Sequence, residues 1–259
     1  MQNNPIGIFD SGVGGTSIFK EIHQLLPNES LIYLADSKNA PYGTKSKEEI
    51  ISLSVKNTEL LIKMKCKLIV VACNTATTNA ISHLRANYQL PFIGIEPAIK
   101  PAALQSQSKS IGILATKGTL SSELFHKTTN LYSQNITVVE QTGTGIVELI
   151  ENGALHSPEL KSLLKSYMQP MIDAQIDYLV LGCTHYPYLI PILKTILPEN
   201  VTIIDSGLAV ARQTKAVLNL HDLEKTISNS PEIIFYTNGK TDVITALTEA
   251  KYPVKFLNF

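Results

Sequence analysis

Two stretches of this chain share one pattern: Leu68-Ile69-Val70-Val71-Ala72-Cys73-Asn74-Thr75-Ala76-Thr77 and Tyr178-Leu179-Val180-Leu181-Gly182-Cys183-Thr184-His185-Tyr186-Pro187. In each, an apolar run too short for a typical helix ends on a cysteine, and small polar residues follow at once. Such a run reads as a parallel strand buried on both faces. Open α/β sheets bind ligands just outside the carboxyl ends of their strands, so Cys73 and Cys183 stand where chemistry is usually placed.

The rest of the chain alternates strand and helix patterns around these two runs. Ile6–Phe9 is a short apolar run that breaks at Asp10-Ser11-Gly12-Val13-Gly14-Gly15, after which Ile18, Ile22, Leu25 and Leu26 recur at helical spacing. Leu31–Ala35 reads as a second strand leading into a polar loop over 36–45 that holds Ala40-Pro41-Tyr42-Gly43. Ser46 and Glu49 have the spacing of a capping box at the start of the next helix. Strands are expected again at 91–95, 110–114, 136–140, 201–204, 233–236 and 254–256. Helices are expected after Pro97, through Val147 to Ile150, over 160–174, from an Asp205-Ser206 cap onward, and over 243–250.

Ile111-Gly112-Ile113-Leu114-Ala115-Thr116-Lys117-Gly118-Thr119 resembles the opening Ile6-Gly7-Ile8-Phe9-Asp10-Ser11-Gly12-Val13-Gly14, as though the chain began again. The interval from Ile6 to Cys73 is 67 residues and that from Ile111 to Cys183 is 72, while Cys73 to Ile95 is 22 and Cys183 to Ile204 is 21. These offsets predict two similar α/β lobes with central, mostly parallel sheets, related by internal duplication, with the ligand site between them. The expected domains are 1–97 together with 208–259, and 98–207.

A chain of 259 residues accommodates one large domain or two of ordinary size. Its 22 basic and 22 acidic residues cancel without any Lys/Arg block, so neither nucleic acid nor a membrane surface is expected as partner. Three cysteines without C-x-x-C spacing argue against a disulfide framework or a zinc finger and for a reducing cytoplasm. The residues before Ile6 carry no basic and apolar leader pattern, so no signal peptide is expected. No apolar run approaches the roughly 20 residues that span a bilayer.

A thiol with an ordinary pKa of about 8.5 can be tuned by its neighbours to give or take a proton near neutral pH. One thiolate and one thiol on opposite faces of a planar carbanionic intermediate would remove a proton from one side and return it from the other, inverting a stereocentre. His185 lies two residues after Cys183, and alternation along a strand would put both on one side. Asp10 ends the first strand of the unit that contains Cys73.

The Asp10–Gly15, Ala40–Gly43, Ala72–Ala76 and Gly182–Pro187 motifs together resemble the glutamate racemases, within the cofactor-independent aspartate/glutamate racemase superfamily. The likeness runs from about residue 6 to about residue 211, with four motifs in order. It implies that Cys73 and Cys183 act as the two acid/base groups interconverting L- and D-glutamate, with neither pyridoxal phosphate nor metal, to supply peptidoglycan synthesis. It further implies assisting roles for Asp10, His185 and Glu151, with Glu148, one helical turn earlier, as the alternative to Glu151. Substrate contacts are implied for Asp10, Ser11, Pro41, Tyr42, Gly43, Asn74, Thr75, Thr184 and His185, and also for Thr116 and Thr119 in the second unit's turn. A homodimer is what many members of the family suggest.

These residue types suit glutamate, whose two carboxylates and one ammonium need hydroxyl, amide and backbone N–H donors together with a few acidic groups. No arginine clamp is evident. Aspartate and hydantoin racemases are the alternatives within the superfamily. A thiol–disulfide oxidoreductase and a non-catalytic amino-acid-binding protein are those outside it. Cys66 has no comparable context and reads as a packing residue. Gly12, Gly14 and Ser17 do not complete G-x-G-x-x-G, and no P-loop lysine follows, so the glycine-rich turn does not read as a nucleotide site.

Overall fold

The computed structural model describes residues 2–132, 134–225 and 230–259. Its strands are β1 (Ile6–Asp10), β2 (Leu31–Ala35), β3 (Leu68–Val71), β4 (Phe92–Gly94), β5 (Ser110–Ala115), β6 (Thr137–Thr142), β7 (Tyr178–Gly182), β8 (Thr202–Ile204), β9 (Ile233–Thr237) and β10 (Val254–Phe256). The helices are α1 (Thr16–Leu25), α2 (Lys47–Lys63), α3 (Asn74–Asn87), α4 (Ile99–Gln105), α5 (Lys117–Leu120), α6 (Glu123–Tyr132), α7 (Ile146–Glu151), α8 (Pro158–Asp173), α9 (Ile190–Leu193), α10 (Gly207–Leu220) and α11 (Asp242–Leu247).

These elements build two parallel sheets. One has six strands in the order β10-β9-β2-β1-β3-β4, and the other four in the order β6-β5-β7-β8. Every strand pair is parallel. Within each sheet the run second-first-third-fourth strand is the same: β2-β1-β3-β4 matches β6-β5-β7-β8. Strand order reverses between β1 and β3 in the first sheet and between β5 and β7 in the second. At such switch points the connections leave in opposite directions and open a crevice at the carboxyl ends. Asp10 and Cys73 flank the first crevice; Thr116 and Cys183 flank the second.

Burial accounts for the sequence pattern. Every residue of β1, β3 and β5 is buried, because helices cover both faces and no polar side of the strand is needed. Apolar side chains from β1, β2, β3, α1 and α10 form one continuous core with those of β7 and α8, so the sheets are not separate hydrophobic islands. The last strands, β9 and β10, return to extend the first sheet beyond β2. The buried Lys67 ammonium meets Glu29 at 2.6 Å and donates to the Leu223 carbonyl at 2.8 Å, tying this returning chain to the amino-terminal end of β3.

Helix starts follow local chemistry. Ser46 and Glu49 form the expected capping box at α2. At α10 the side chain of Ser206 does not cap. Asp205 Oδ1 instead accepts the Gly207 N–H at 2.7 Å, while the Ser206 hydroxyl turns to the Glu96 carbonyl. The short helices α5 and α6, which fill the connection between β5 and β6, lie outside the elements expected from hydrophobic periodicity.

Candidate active site

Cys73 follows β3 and caps α3, its sulfur accepting the Ala76 N–H at 3.4 Å. A capping thiol is therefore held against the helix N-terminus by the same turn that ends the strand. Its own proton points to Ser11 Oγ, 3.6 Å away. Burial pushes the Cys73 thiol well above its ordinary range, and the nearby Asp10 carboxyl pushes it further. In this environment Cys73 keeps its proton.

Asp10 ends β1 and is fully buried. It accepts the Gly15 N–H at 2.6 Å and the Thr184 hydroxyl at 3.3 Å, so it links the first crevice to the loop after β7. Burial raises the Asp10 carboxyl to about 6, against the lowering effects of His185 and of the Gly15 amide.

Cys183 follows β7, and its Sγ lies 3.7 Å from His185 Nδ1. The expected proximity is present, but strand alternation does not produce it. β7 ends at Gly182, and His185 has φ −74° and ψ −26°, so a tight turn curls the imidazole back onto the thiol. The other ring nitrogen, Nε2, lies 2.6 Å from Glu151 Oε1. Burial opposes a charged imidazole, but the hydrogen bonds to Cys183 and Glu151 outweigh it and raise His185 well above its ordinary pKa. Of the two candidate carboxylates on α7, Glu151 reaches His185, whereas Glu148 lines the adjoining outer pocket.

The glycine-rich turn after β1 now has a physical explanation. A Cβ on Gly12 would lie 1.9 Å from Glu151 Oε1, and one on Gly14 would lie 2.3 Å from His185 Nδ1. Both glycines are required because side chains of the second lobe press directly on this backbone. The turn cradles an imidazole and a carboxylate rather than a phosphate.

Both thiols line one small cavity of about 10 Å³, together with Ser11, Pro41, Tyr42, Gly43, Asn74, Thr75, Thr116, Val147, Thr184 and His185. The three remaining expected site residues stand one layer back. Asp10 is behind Ser11 and Thr184, and Glu151 is on the far nitrogen of His185. Thr119 packs its hydroxyl 3.3 Å from Thr75 and 3.0 Å from Thr116, which in turn are 2.8 Å apart. Both polar atoms of the buried Asn74 amide lack a partner among the described residues, so this side chain offers one acceptor and two donor hydrogens to whatever enters. Tyr42 is fixed from behind, donating to Asp36 Oδ2 at 2.5 Å and accepting from Asn57 at 3.1 Å.

No sequence motif marks Val13, Ser37 or Val147 as part of the site. Val13 N–H and Ser37 Oγ both donate to Glu151, across 138 and 114 residues of chain, and no local motif announces such a contact. Among the described residues no group of three or more His, Cys, Asp or Glu side chains is arranged to hold a metal ion. All three cysteines are free thiols, and Cys66, pushed up to about 12 by burial, packs beneath β1. No helix among the described residues is long and apolar enough to cross a membrane.

Comparison with known proteins agrees with this arrangement. Residues 6–214 match the family model described as Asp/Glu/Hydantoin racemase. A glutamate racemase of Ectopseudomonas mendocina is 49% identical over 223 residues, covering 86% of this chain and 85% of its own length. The crystal structure of Escherichia coli glutamate racemase in complex with L-glutamate and the activator UDP-MurNAc-ala superposes with a TM-score of 0.87 at 31% identity, covering 98% of each chain. That of Francisella tularensis glutamate racemase in complex with D-glutamate gives 0.86 at 29% identity, covering 99% of this chain and 98% of the other. The match over most of the chain, on a fold whose paired crevices present two thiols to one cavity, establishes that the chain belongs to the Asp/Glu/Hydantoin racemase family.

Proposed function

We propose that this chain interconverts L- and D-glutamate by a two-base transfer of the Cα proton between Cys73 and Cys183. The observation that carries the reading is that the two thiols end equivalent strands of the two sheets and line one cavity. Racemisation needs that symmetry, because a proton must leave one face of a planar intermediate and another must arrive at the opposite face. The two thiols nevertheless have different surroundings. Cys73, buried beside Asp10, holds a proton ready to give; Cys183 has an imidazole at 3.7 Å that itself rests on Glu151. In the reverse direction the roles exchange.

Substrate binding falls to the polar lining. The Asn74 amide, the hydroxyls of Ser11, Thr75, Thr116 and Thr184, and backbone N–H groups at the start of α3 supply donors for two carboxylates. No Lys or Arg is among the described lining residues, so hydroxyl, amide and backbone donors take the place of a cationic clamp. Asp10, lying behind Ser11, supplies negative charge for the ammonium end. The proposal includes domains of 1–97 with 208–259 and of 98–207, a cytoplasmic location, a homodimer, and a role in providing D-glutamate for peptidoglycan.

Purified protein is tested with L- and D-glutamate by circular dichroism, with L-aspartate as the competing substrate. Loss of optical activity from both glutamate enantiomers, little from aspartate, and no racemisation by folded Cys73→Ala or Cys183→Ala is the expected pattern. Full activity in either variant removes that cysteine from the mechanism.

A further inference from the structure

The thiol cavity is closed off by contacts between the two lobes. At about 10 Å³ it has room for about one water, far less than a glutamate, and beside it lies a pocket of about 280 Å³ lined in part by Val13, Ser37, Pro41, Val147 and Glu151. Pro41 and Val147 line both spaces, so they stand at the boundary between them. A substrate that reaches the thiols from the outer pocket must part the elements meeting there.

One carboxylate spans that seam. Glu151 is the last residue of α7, in the second lobe, while Val13 and Ser37 follow β1 and β2 of the first. Glu151 Oε1 accepts the Val13 N–H at 2.7 Å and also meets His185 Nε2 at 2.6 Å, and Oε2 accepts the Ser37 hydroxyl at 3.1 Å. Ser37 is braced from behind: a Cβ on Gly239 would lie 2.8 Å from Ser37 Cβ, and the neighbouring Lys38 N–H donates to Asn238 Oδ1 at 2.9 Å. The chain that returns to extend the first sheet thus holds the Ser37 backbone toward Glu151.

We infer that Ser37 is a positioning residue that couples lobe closure to the proton relay behind Cys183. Resting on the racemase reading of this site, the inference follows from the shared carboxylate. Glu151 has its first-lobe donors only when the lobes meet, and those donors fix the oxygen that faces His185. On opening, the side chain at the end of a six-residue helix is released to turn in solvent. The imidazole beside Cys183 then loses the fixed partner that favours its charged form. Proton transfer is thereby confined to the closed state, from which bulk water is excluded.

The test uses Ser37→Ala and Ser37→Thr in the parent and in Glu151→Ala, with long incubations for the slower background. Expected in the parent is a loss of about fivefold in kcat/KM for Ser37→Ala, and recovery to within about twofold for Ser37→Thr, which keeps the hydroxyl. In Glu151→Ala the same alanine replacement changes kcat/KM by less than about twofold, because the partner is already gone. Amide hydrogen exchange at Val13, which needs no turnover, is expected to quicken about tenfold in Ser37→Ala and to return in Ser37→Thr. Equal losses in both backgrounds, an undiminished kcat/KM, or unchanged Val13 exchange overturns the inference. Absence of racemisation by the parent would instead contradict the function, and the Val13 exchange would still report on the latch.

Discussion

Glu151 Oε1 lies 2.6 Å from His185 Nε2, joining the end of α7 to the turn after β7 directly behind the Cys183 thiol. Cys183, His185 and Glu151 therefore form a relay in which each group touches the next, and its far end is anchored to the first lobe through Val13 and Ser37. The carboxylate and the thiol together hold His185 well above its ordinary pKa, despite burial that acts the other way.

Glu151→Gln keeps the shape of this contact and removes its charge. Without the carboxylate, the imidazolium loses a stabilising neighbour and His185 releases its proton at lower pH. The alkaline limb of the kcat/KM profile is expected to move toward neutrality, with a loss of about 10²-fold at the optimum, in the range for impaired acid/base assistance. A rate profile that keeps its alkaline limb would separate Glu151 from the relay.

Gly12→Ala and Gly14→Ala test the close approach of the lobes. The added methyl would meet Glu151 Oε1 at 1.9 Å or His185 Nδ1 at 2.3 Å, so the side chain must leave its place. Overpacking of this kind costs about 1–3 kcal/mol. Activity should fall far more than stability, by about 10²-fold or more, with the fold retained by circular dichroism and thermal unfolding. Near-parental kcat/KM in Gly14→Ala would mean that His185 need not sit where it does.

Asp10→Asn is expected to separate stability from catalysis. The Asp10 carboxyl is raised from 3.8 to about 6. A folded-state pKa above the unfolded one means that the native state holds the proton more tightly. Its stabilising effect is complete below about pH 4 and is lost as pH rises through about 6. A displacement of this size corresponds to about 3 kcal/mol. At pH values well above 6 the asparagine variant should unfold at a temperature no lower than the parent, and that advantage should shrink toward pH 4. Racemisation should collapse. A clearly less stable variant at neutral pH would contradict the account of Asp10.

Asn74→Ala removes an amide with no partner among the described residues. Folding therefore loses no internal hydrogen bond at this position, whereas a bound carboxylate would lose a donor. The expected outcome is a change in Tm of only a few degrees with KM raised about tenfold, consistent with about 1.5–3 kcal/mol for a hydrogen bond to a charged group. Unchanged KM would place Asn74 outside the substrate contacts.

The parts of this molecule that were legible in the sequence are those set by local pattern. Strands such as Leu68–Val71, buried throughout, and Tyr178–Gly182, buried from Leu179 onward, appear as unbroken apolar runs because neither face meets water there. The strand order common to the two sheets, β2-β1-β3-β4 and β6-β5-β7-β8, corresponds to the repeated spacing of Ile6, Cys73 and Ile95 with Ile111, Cys183 and Ile204. What the pattern did not carry is contact between remote segments. Nothing near Ser37 announces Glu151, and nothing in Gly12-Val13-Gly14 distinguishes a turn that cradles side chains from one that binds phosphate. Strand alternation predicts the Cys183–His185 contact, but it arises from a turn, because the chain has already left β7.

The central claim is that two thiols act on opposite faces of Cα, and its most direct test is early-time deuterium incorporation. L-glutamate is incubated with the protein in deuterated water, and the enantiomers are separated and weighed by mass spectrometry before much product has formed. The account predicts that newly formed D-glutamate carries solvent deuterium at Cα while recovered L-glutamate carries little, because the donor thiol is not the thiol that took the proton. The reverse experiment from D-glutamate should mirror it. Deuterium appearing in recovered substrate as fast as in product would indicate a single base, and racemisation without solvent deuterium in the product would contradict transfer from an exchangeable thiol.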